Sequence, residues 1–182
     1  MGFDISGVNP KTKRGEYFRN NVWWWRPLWH YIFTLGLISE RQLERGSYND
    51  GFTIKQDKAL KIAARLKHEL AQGKTKKYEE EYKKELKDLP DEECDICQGT
   101  GKRRWTKKSL KEVMDDQGHP LGKLMGDTRP WKEGNGEYEE KKCNACGGKG
   151  KKRPWTCSYP FCEENVREFA EFCMESGGFS IW

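Results

Sequence analysis

The stretch Cys94-Asp-Ile-Cys-Gln-Gly-Thr-Gly101 returns later in the chain as Cys143-Asn-Ala-Cys-Gly-Gly-Lys-Gly150. Each stretch is a Cys-x-x-Cys pair followed by two glycines at the same offsets. The two thiolates of one such turn can reach a single metal ion, and two turns complete the closed tetrahedral set of a structural zinc site. The sequence therefore predicts one structural Zn²⁺, whose ligands are Cys94, Cys97, Cys143 and Cys146. The alternative is two unrelated pairs of buried or redox-active thiols.

The glycines strengthen this interpretation. Glycine permits positive φ and lets backbone amides approach the sulfurs, which need hydrogen bonds to offset their charge. The duplicated pattern resembles the cysteine-rich zinc-finger repeats of DnaJ-type chaperones, in which the first of four repeats pairs with the fourth around one zinc ion. The resemblance implies that this chain keeps one such pair. It does not extend to a J domain, because His119-Pro120 is followed by Leu121.

The overall layout is also similar to that of uncharacterised proteins from phage and bacterial genomes. The features that carry this similarity are the segment from Gly15 to Trp29, the two glycine-tailed cysteine pairs, Tyr159-Pro-Phe161 and the following Asn165-Val-Arg-Glu-Phe169. The similarity implies an accessory protein encoded by a phage or another mobile element, and it implies no particular activity.

Composition limits the size of the core. The 182 residues are 35% apolar with a mean hydropathy of -1.02, but eight Trp, eight Phe and seven Tyr supply large buried areas. A small aromatic core stapled by a metal fits these numbers. The segment Val22 to Ile38 is interrupted by Arg26, Pro27 and His30, so we expect no membrane span. Seven cysteines without an apolar leader favour reduced thiols and a cytoplasmic location.

The fold class predicted from these patterns is mainly α with a small zinc-knuckle β-hairpin module, that is, α+β. Residues 1–21 are predicted to form a loop or arm, and the predicted helices are 27–36, 39–45, 53–72, 75–89, 109–117 and 163–175. Residues 118–136 are predicted to be loop, and short strands are expected near 102–105 and 151–155. The predicted regions are a helical aromatic-rich region 1–92, a zinc module 93–156 with an insertion 102–142, and a C-terminal helix 157–182 that packs back on the core.

Two basic runs follow the cysteine pairs. If the repeats pair around one zinc ion, pseudo-symmetry should bring these runs together, with a tryptophan in each. Basic side chains interleaved with aromatic rings suit phosphate contact and base stacking. The candidate nucleic-acid-binding residues are Lys102, Arg103, Arg104, Trp105, Lys151, Lys152, Arg153 and Trp155. The alternative is a solvated surface that offsets the thiolate charge, and the net charge of only +5 favours it.

Three consecutive tryptophans mark a second candidate surface. Trp23, Trp24 and Trp25 cannot all face inward on one helix or strand, so at least one should be exposed or covered by another segment. Core packing against the 53–72 helix explains most of this aromatic segment. Because Trp and Arg dominate interface hot spots, a partner-binding role for these three residues is the second interpretation.

The remaining residues favour binding over catalysis. Cys162 and Cys173 fall on one predicted helix face and are expected in the core, Cys157 is expected to be a partly buried thiol, and His68 is expected on the surface. No nucleophile elbow, phosphate loop or zinc-protease helix occurs.

The sequence thus predicts a non-enzymatic zinc-binding accessory protein that docks a protein partner. Nucleic-acid binding is the alternative, and a chaperone-like or thiol-redox activity is the third hypothesis.

Overall fold

The computed structural model describes residues 2–106, 112–114, 120–123 and 138–182, with side chains for 2–104 and 140–182. The chain divides into two compact units. The terminal unit comprises Met1–Leu89 and Trp155–Trp182, and the central unit, named for its place in the sequence, comprises Pro90–Pro154. The described residues are mainly helical with small antiparallel sheets, which confirms the predicted α+β class.

The elements are as follows in chain order. The terminal unit begins with β1 (Gly2–Gly7), α1 (Lys13–Glu16), β2 (Tyr17–Asn21), α2 (Val22–Thr34), α3 (Glu40–Arg45), β3 (Phe52–Lys55), α4 (Gln56–Ala71) and α5 (Lys74–Asp88). The central unit contains β4 (Glu92–Glu93), β5 (Lys102–Thr106), β6 (Glu112–Met114), β7 (Pro120–Lys123), β8 (Tyr138–Lys142) and β9 (Lys151–Lys152). The chain then returns to the terminal unit with a 3₁₀ turn (Trp155–Ser158), α6 (Glu163–Glu175) and β10 (Gly178–Ile181).

A four-stranded antiparallel sheet in the order β2-β1-β10-β3 organises the terminal unit. Burial alternates along β1, where Phe3 and Ile5 face the core, and Phe179 and Ile181 of β10 do the same. The prediction of a loop or arm over residues 1–21 was wrong, because the short apolar alternation of β1 lies between Gly2 and Gly7 and is stabilised as a strand by pairing with β2 and with distant β10.

Helices α4 and α6 pack against each other and contribute much of the core. Of the apolar stripe in the helix predicted over 53–72, Ala59, Ile62, Ala63 and Leu66 are buried, and Leu70 is half-buried. On α6, Cys173 is buried as predicted, and burial raises its pKa well above the usual range. Cys162 is only half-buried, because it occupies the position before the first turn of α6 rather than its inner face. His68 is exposed, as expected.

The helices α2 and α4 start at residues other than those predicted, whereas α3 and α6 start as predicted. Helix α2 begins at Val22, five residues before Pro27, because the Asn21 side chain caps it. Helix α4 begins at Gln56 because Thr53 belongs to β3, where its hydroxyl lies 2.8 Å from that of Ser180. Helix α3 begins as predicted, with a capping box between Ser39 and Gln42. Among these helices, sheet pairing overrides the predicted N-terminal capping pattern only at α4.

Removal of the Asn21 cap should destabilise the terminal unit measurably. The Asn21 Oδ1 accepts hydrogen bonds from the backbone N–H groups of Trp23 and Trp24, at 3.0 and 3.1 Å. We expect Asn21→Ala to lower the free energy of unfolding by about 1 kcal/mol, since lost caps cost roughly 0.5–2 kcal/mol. The conservative variant Asn21→Asp should retain most of the stability. Urea denaturation monitored by tryptophan fluorescence measures both, and equal losses in the two variants would contradict the capping role.

The central unit consists of short ribbons: β4 pairs with β9, β5 with β8, and β6 with β7. The strands predicted near 102–105 and 151–155 are therefore present. The helix predicted over 109–117 lies largely outside the described residues, and its described part, Glu112–Met114, is strand β6. In the loop predicted over 118–136, Pro120–Lys123 is strand β7. Charged residues with good helix propensity adopt a strand here because pairing outweighs that weak local preference.

Candidate metal centre

Four cysteine side chains of the central unit form a compact cluster. The Sγ atoms of Cys94, Cys97, Cys143 and Cys146 all lie within 4.8 Å of one another. The Sγ of Cys94 lies 3.9 Å from that of Cys143, and the Sγ of Cys97 lies 3.7 Å from that of Cys146. A regular tetrahedron with Zn–S distances of ~2.3 Å has edges of about 3.8 Å. These separations far exceed a disulfide bond of about 2.05 Å and match the edge of a four-thiolate metal site.

The two repeats hold the cluster through reciprocal backbone hydrogen bonds. The Cys94 N–H donates to the carbonyl of Gly150, and the Cys143 N–H donates to the carbonyl of Gly101, both at 2.8 Å. The Gly101 N–H donates in turn to the Cys97 sulfur, and the Gly150 N–H donates to the Cys146 sulfur, both at 3.3 Å. This reciprocity explains why the sequence repeats: each stretch completes the hydrogen bonds of the other.

Glycine is required at the two positions where the repeats meet. Gly101 and Gly150 have φ values of +71° and +74°, in the left-handed region that disfavours other residues. A Cβ atom on Gly101 would lie 2.3 Å from the carbonyl oxygen of Gly148, and one on Gly150 would lie 2.1 Å from that of Gly99. The close approach of the two turns is therefore possible only without side chains at these positions.

The electrostatics of the cluster also favour a bound cation. Cys94 and Cys143 are fully buried, and Cys97 and Cys146 are 7% exposed. Burial raises the pKa of Cys97, and the Gly101 N–H offsets only part of that rise. Burial acts in the same direction on Cys146, but the N–H groups of Gly150 and Gly148 and the neighbouring thiols outweigh it and lower the Cys146 pKa. A divalent ion would neutralise the clustered thiolates, and its binding would release protons.

The other cysteines lie in the terminal unit and outside this cluster. Within the described ranges, no second group of three or more histidine, cysteine or acidic side chains is positioned to hold a metal ion. The Cys157 thiol is half-buried, as predicted, and lies 3.5 Å from the Leu86 carbonyl oxygen.

All four clustered cysteines belong to the central unit, whereas α6 belongs to the terminal unit with α4. Helix packing, not the metal centre, therefore joins α6 to the N-terminal helices.

The two basic runs do not pair with each other as strands. Each run instead pairs with the strand that precedes the other repeat: β5 with β8, and β9 with β4. The runs thus lie in two separate ribbons. In each ribbon, the strand that leads into one cysteine turn pairs antiparallel with the strand that leads out of the other turn. The Trp105 side chain lies outside the described residues, so its predicted position in the basic surface stays a prediction.

Several of the candidate cations have acidic neighbours in the same unit. Lys102 lies 3.8 Å from Glu140, and Arg153 lies 3.5 Å from Asp91. Lys152 pairs with Asp95, and Arg103 donates to the side chain of Asn144 at 3.3 Å. Lys151 is exposed, and it lies opposite Glu93 in the strand register. A cavity of about 780 Å³ beside the first cysteine pair is lined by Lys102, Arg103 and Arg104 together with Asp95 and Glu140. Its lining is therefore mixed in charge.

The three consecutive tryptophans have different environments. Trp25 is fully buried, stacks on Trp29 at 5.2 Å between ring centroids, and donates its Nε1–H to the Gly46 carbonyl at 2.7 Å. It is a core residue, so its candidate role at a partner surface was wrong. Its ring meets Phe169 of α6 edge-on at 5.4 Å. Trp23 and Trp24 are partly exposed, in agreement with the expectation that the three cannot all face inward.

The candidate residue Trp155 contacts Trp23 within the terminal unit. The rings of Trp23 and Trp155 lie 4.9 Å apart, and Tyr159 lies 4.9 Å from Trp23. The Trp155 Nε1–H and the Arg26 guanidinium both donate to the Tyr159 hydroxyl, at 3.2 and 3.1 Å. Trp155 is nevertheless 66% exposed. We name Trp23, Arg26, Trp155 and Tyr159 the Trp23 cluster. Sequence reasoning assigned no role to Arg26 or Tyr159, because no local pattern joins positions so far apart.

Comparisons of the chain with protein-family models, with curated proteins and with solved structures give no match. Among the described residues, no helix is long and apolar enough to cross a membrane. The four-cysteine cluster and the Trp23 cluster are therefore the observations on which a functional argument can rest.

Proposed function

We propose that this protein is a non-enzymatic zinc-binding protein whose single Zn²⁺, held by Cys94, Cys97, Cys143 and Cys146, fixes the fold of the central unit. The observation that carries the proposal is the cluster of four buried thiols within 4.8 Å of one another. Thiolate ligands in a tetrahedral arrangement suit zinc among the common divalent ions. Glycine N–H groups directed at two of the sulfurs supply the outer-shell hydrogen bonds that such sites use.

A structural rather than catalytic role follows from the ligand set. Catalytic zinc sites keep one coordination position for water or substrate, whereas four thiolates fill all positions of a tetrahedral ion. The cysteines are also buried, so a substrate would have poor access to the metal. We therefore propose that the metal stabilises a binding protein, and that its activity lies in the surfaces of the two units.

The binding activity that we propose is docking of a protein partner through the Trp23 cluster. Trp155 is 66% exposed although it contacts another aromatic ring, and Tyr159 adjoins an arginine. Tryptophan, tyrosine and arginine are the residue types enriched at interface hot spots. An exposed tryptophan held in place by Trp23 and Tyr159 loses little conformational freedom on binding, which favours affinity.

Nucleic-acid binding by the central unit is the second candidate. The cavity lined by Lys102, Arg103 and Arg104 favours it, because adjacent cations can contact successive phosphates. The acidic side chains of Asp95 and Glu140 in the same lining disfavour it. A phage origin, a cytoplasmic location and a thiol-redox activity at Cys157 stay predictions of the sequence.

Metal analysis and affinity capture test the proposal together. We expect one zinc ion per purified chain by elemental analysis and native mass spectrometry. Capture of the tagged protein from cell extract, with and without nuclease, should retain a protein partner after nuclease treatment. Trp155→Ala should lose that partner, and Trp182→Ala, which alters a tryptophan that is 56% exposed elsewhere, should keep it. Loss of all partners on nuclease treatment, or on joint replacement of Lys102, Arg103 and Arg104 by glutamine, would favour the nucleic-acid alternative.

A further inference from the structure

An open groove lies beside the Trp23 cluster within the terminal unit. It has a volume of about 240 Å³, and we call it the tyrosine groove; its lining includes Arg26, Pro27 and His30 of α2, Tyr78 and Tyr82 of α5, and Tyr159. The Tyr78 and Tyr82 rings stack at 6.0 Å with an interplanar angle of 19°. The volume is below the ~300 Å³ at which small-molecule sites begin, so the groove suits one or two side chains of a larger ligand.

Hydrogen bonds fix the walls of the groove before any ligand binds. The Tyr82 hydroxyl donates to the Tyr159 carbonyl at 3.0 Å, and the Arg26 guanidinium lies over the Tyr159 ring, 5.7 Å from its centroid. Tyr78 packs against the buried rings of Tyr31 and Phe161, at 4.6 and 4.8 Å. Preorganised walls reduce the entropy cost of binding.

The polar groups of the groove define the charge of its ligand. No acidic side chain is part of its lining, within the residues that the structure describes. The Arg26 guanidinium donates to the Tyr159 hydroxyl and has no carboxylate partner among the described residues, so its other N–H groups can donate hydrogen bonds to an anionic group. The Tyr78 hydroxyl likewise has no hydrogen-bond partner in the described part of the chain and can donate to a carbonyl oxygen.

We propose that the tyrosine groove and the adjoining Trp23 cluster bind an extended, proline-containing peptide segment that carries an acidic residue, with the proline rings on the tyrosines and the carboxylate on Arg26. This inference rests on the proposed docking function and names its ligand. Aromatic-lined grooves recognise the rigid polyproline conformation because it is already extended and loses little entropy on binding. The exposed carbonyls of such a segment match the donor at Tyr78.

Two other ligand classes fit the groove less well. A quaternary ammonium group binds within aromatic rings, but the Arg26 guanidinium beside Tyr159 would repel it. A single-stranded nucleic acid could stack on the rings, yet it presents a phosphate at every nucleotide. Among the described residues, the lining of the groove offers one permanent cation, Arg26. One cation suits one carboxylate better than a polyanion.

Calorimetric titration of the zinc-loaded full-length protein with defined probes tests this inference. The probes are a proline-rich peptide with a central aspartate, the same peptide with asparagine, an aspartate-containing glycine–serine peptide, and single-stranded oligothymidylate. We expect the first to bind, with the asparagine peptide about tenfold weaker because a charge-assisted hydrogen bond is lost. The glycine–serine peptide and the oligonucleotide should give no binding in the same concentration range.

Variants of the protein locate the site. Trp155→Ala should weaken the first peptide about thirtyfold, as expected for a hot-spot residue. Arg26→Gln should weaken it about tenfold and abolish the preference for aspartate over asparagine, a change that a merely structural defect would not produce. The matched controls, Trp182→Ala and Arg41→Gln, should bind as the parent does, and thermal unfolding verifies that each variant is folded.

The outcomes separate this inference from the proposed function. Equal affinity for aspartate and asparagine peptides, tighter binding of the oligonucleotide, or no binding of any peptide would overturn the inference. If a captured partner still depends on Trp155 in that case, the docking function stands with a different ligand. If no captured partner depends on Trp155, the docking function fails as well.

Discussion

Replacement of Cys146 by serine is expected to abolish retention of zinc and to unfold the central unit while the terminal unit stays folded. In the described part of the central unit, the buried hydrophobic cluster consists of the four cysteines alone. Because the described residues of this unit form no other buried apolar cluster, we expect the metal to supply most of its stability. Structural zinc supplies apparent binding free energies of ~10–16 kcal/mol, which in such a unit are folding free energy.

Hydrogen exchange read by mass spectrometry checks this expectation by region. Amides of 90–104 and 140–154 should lose protection in Cys146→Ser and in the parent protein after treatment with a strong chelator. Those of α4 and α6 should keep theirs, because the terminal unit has its own core. The matched control is Cys157→Ser, which alters a half-buried cysteine outside the cluster and should retain one zinc ion. A protected central unit in the metal-free Cys146→Ser protein would contradict the structural role of the metal.

The metal centre could be predicted from the sequence because the residues that form it lie within two short segments of the same pattern. The spacing of Cys94 and Cys97 sets the distance between two sulfurs, and the glycines at fixed offsets indicate where the backbone must turn and approach. The second repeat applies the same constraints independently. The spacing could not indicate that the strand after each repeat pairs with the strand before the other repeat. From the sequence alone, the basic strands β5 and β9 could also have paired with each other.

The sheet of the terminal unit was not predictable in the same way. Helices α4, α5 and α6 carry their periodicity within a single segment, and their predicted ranges agree with the structure to within a few residues. Strands β1 and β10 are short and contain glycine and serine, and they pair with each other across nearly the whole chain as well as with β2 and β3. Each segment contains only two alternating apolar residues, which is too short a periodic signal to predict a strand.

The aromatic residues show the same limit at the level of single side chains. The Trp23-Trp24-Trp25 triplet predicted that the three residues must differ in exposure, which helical geometry requires. It could not identify Trp25 as the buried member, because that depends on Phe169 and Gly46 from other segments. The contact of Trp23 with Trp155 likewise arises from the return of the chain to the terminal unit after the central unit.

Substitution of the glycines at the contact between the repeats should disrupt the metal centre as severely as loss of a ligand. A Cβ atom in Gly101→Ala or Gly150→Ala would overlap a backbone carbonyl oxygen, at 2.3 and 2.1 Å. Neither carbonyl can move without separating the turns, which would break the N–H···S bonds to Cys97 and Cys146. We expect each variant to cost more than ~4 kcal/mol, in the range of the most severe single substitutions, and to lose zinc to a competing chromogenic chelator.

Gly147 is the matched control, because it shares the backbone conformation without the close contact. Its φ is +59°, yet a Cβ atom there would meet no heavy atom within 4 Å. Gly147→Ala should therefore show only the cost of a left-handed non-glycine residue, about 1–2 kcal/mol, and should keep its zinc ion. Equal zinc affinity in the three alanine variants would mean that backbone conformation alone matters. A selective loss at Gly101 and Gly150 would show that the metal centre depends on the close approach of the two repeats, because of the three substituted glycines these two alone combine positive φ with an overlapping carbonyl.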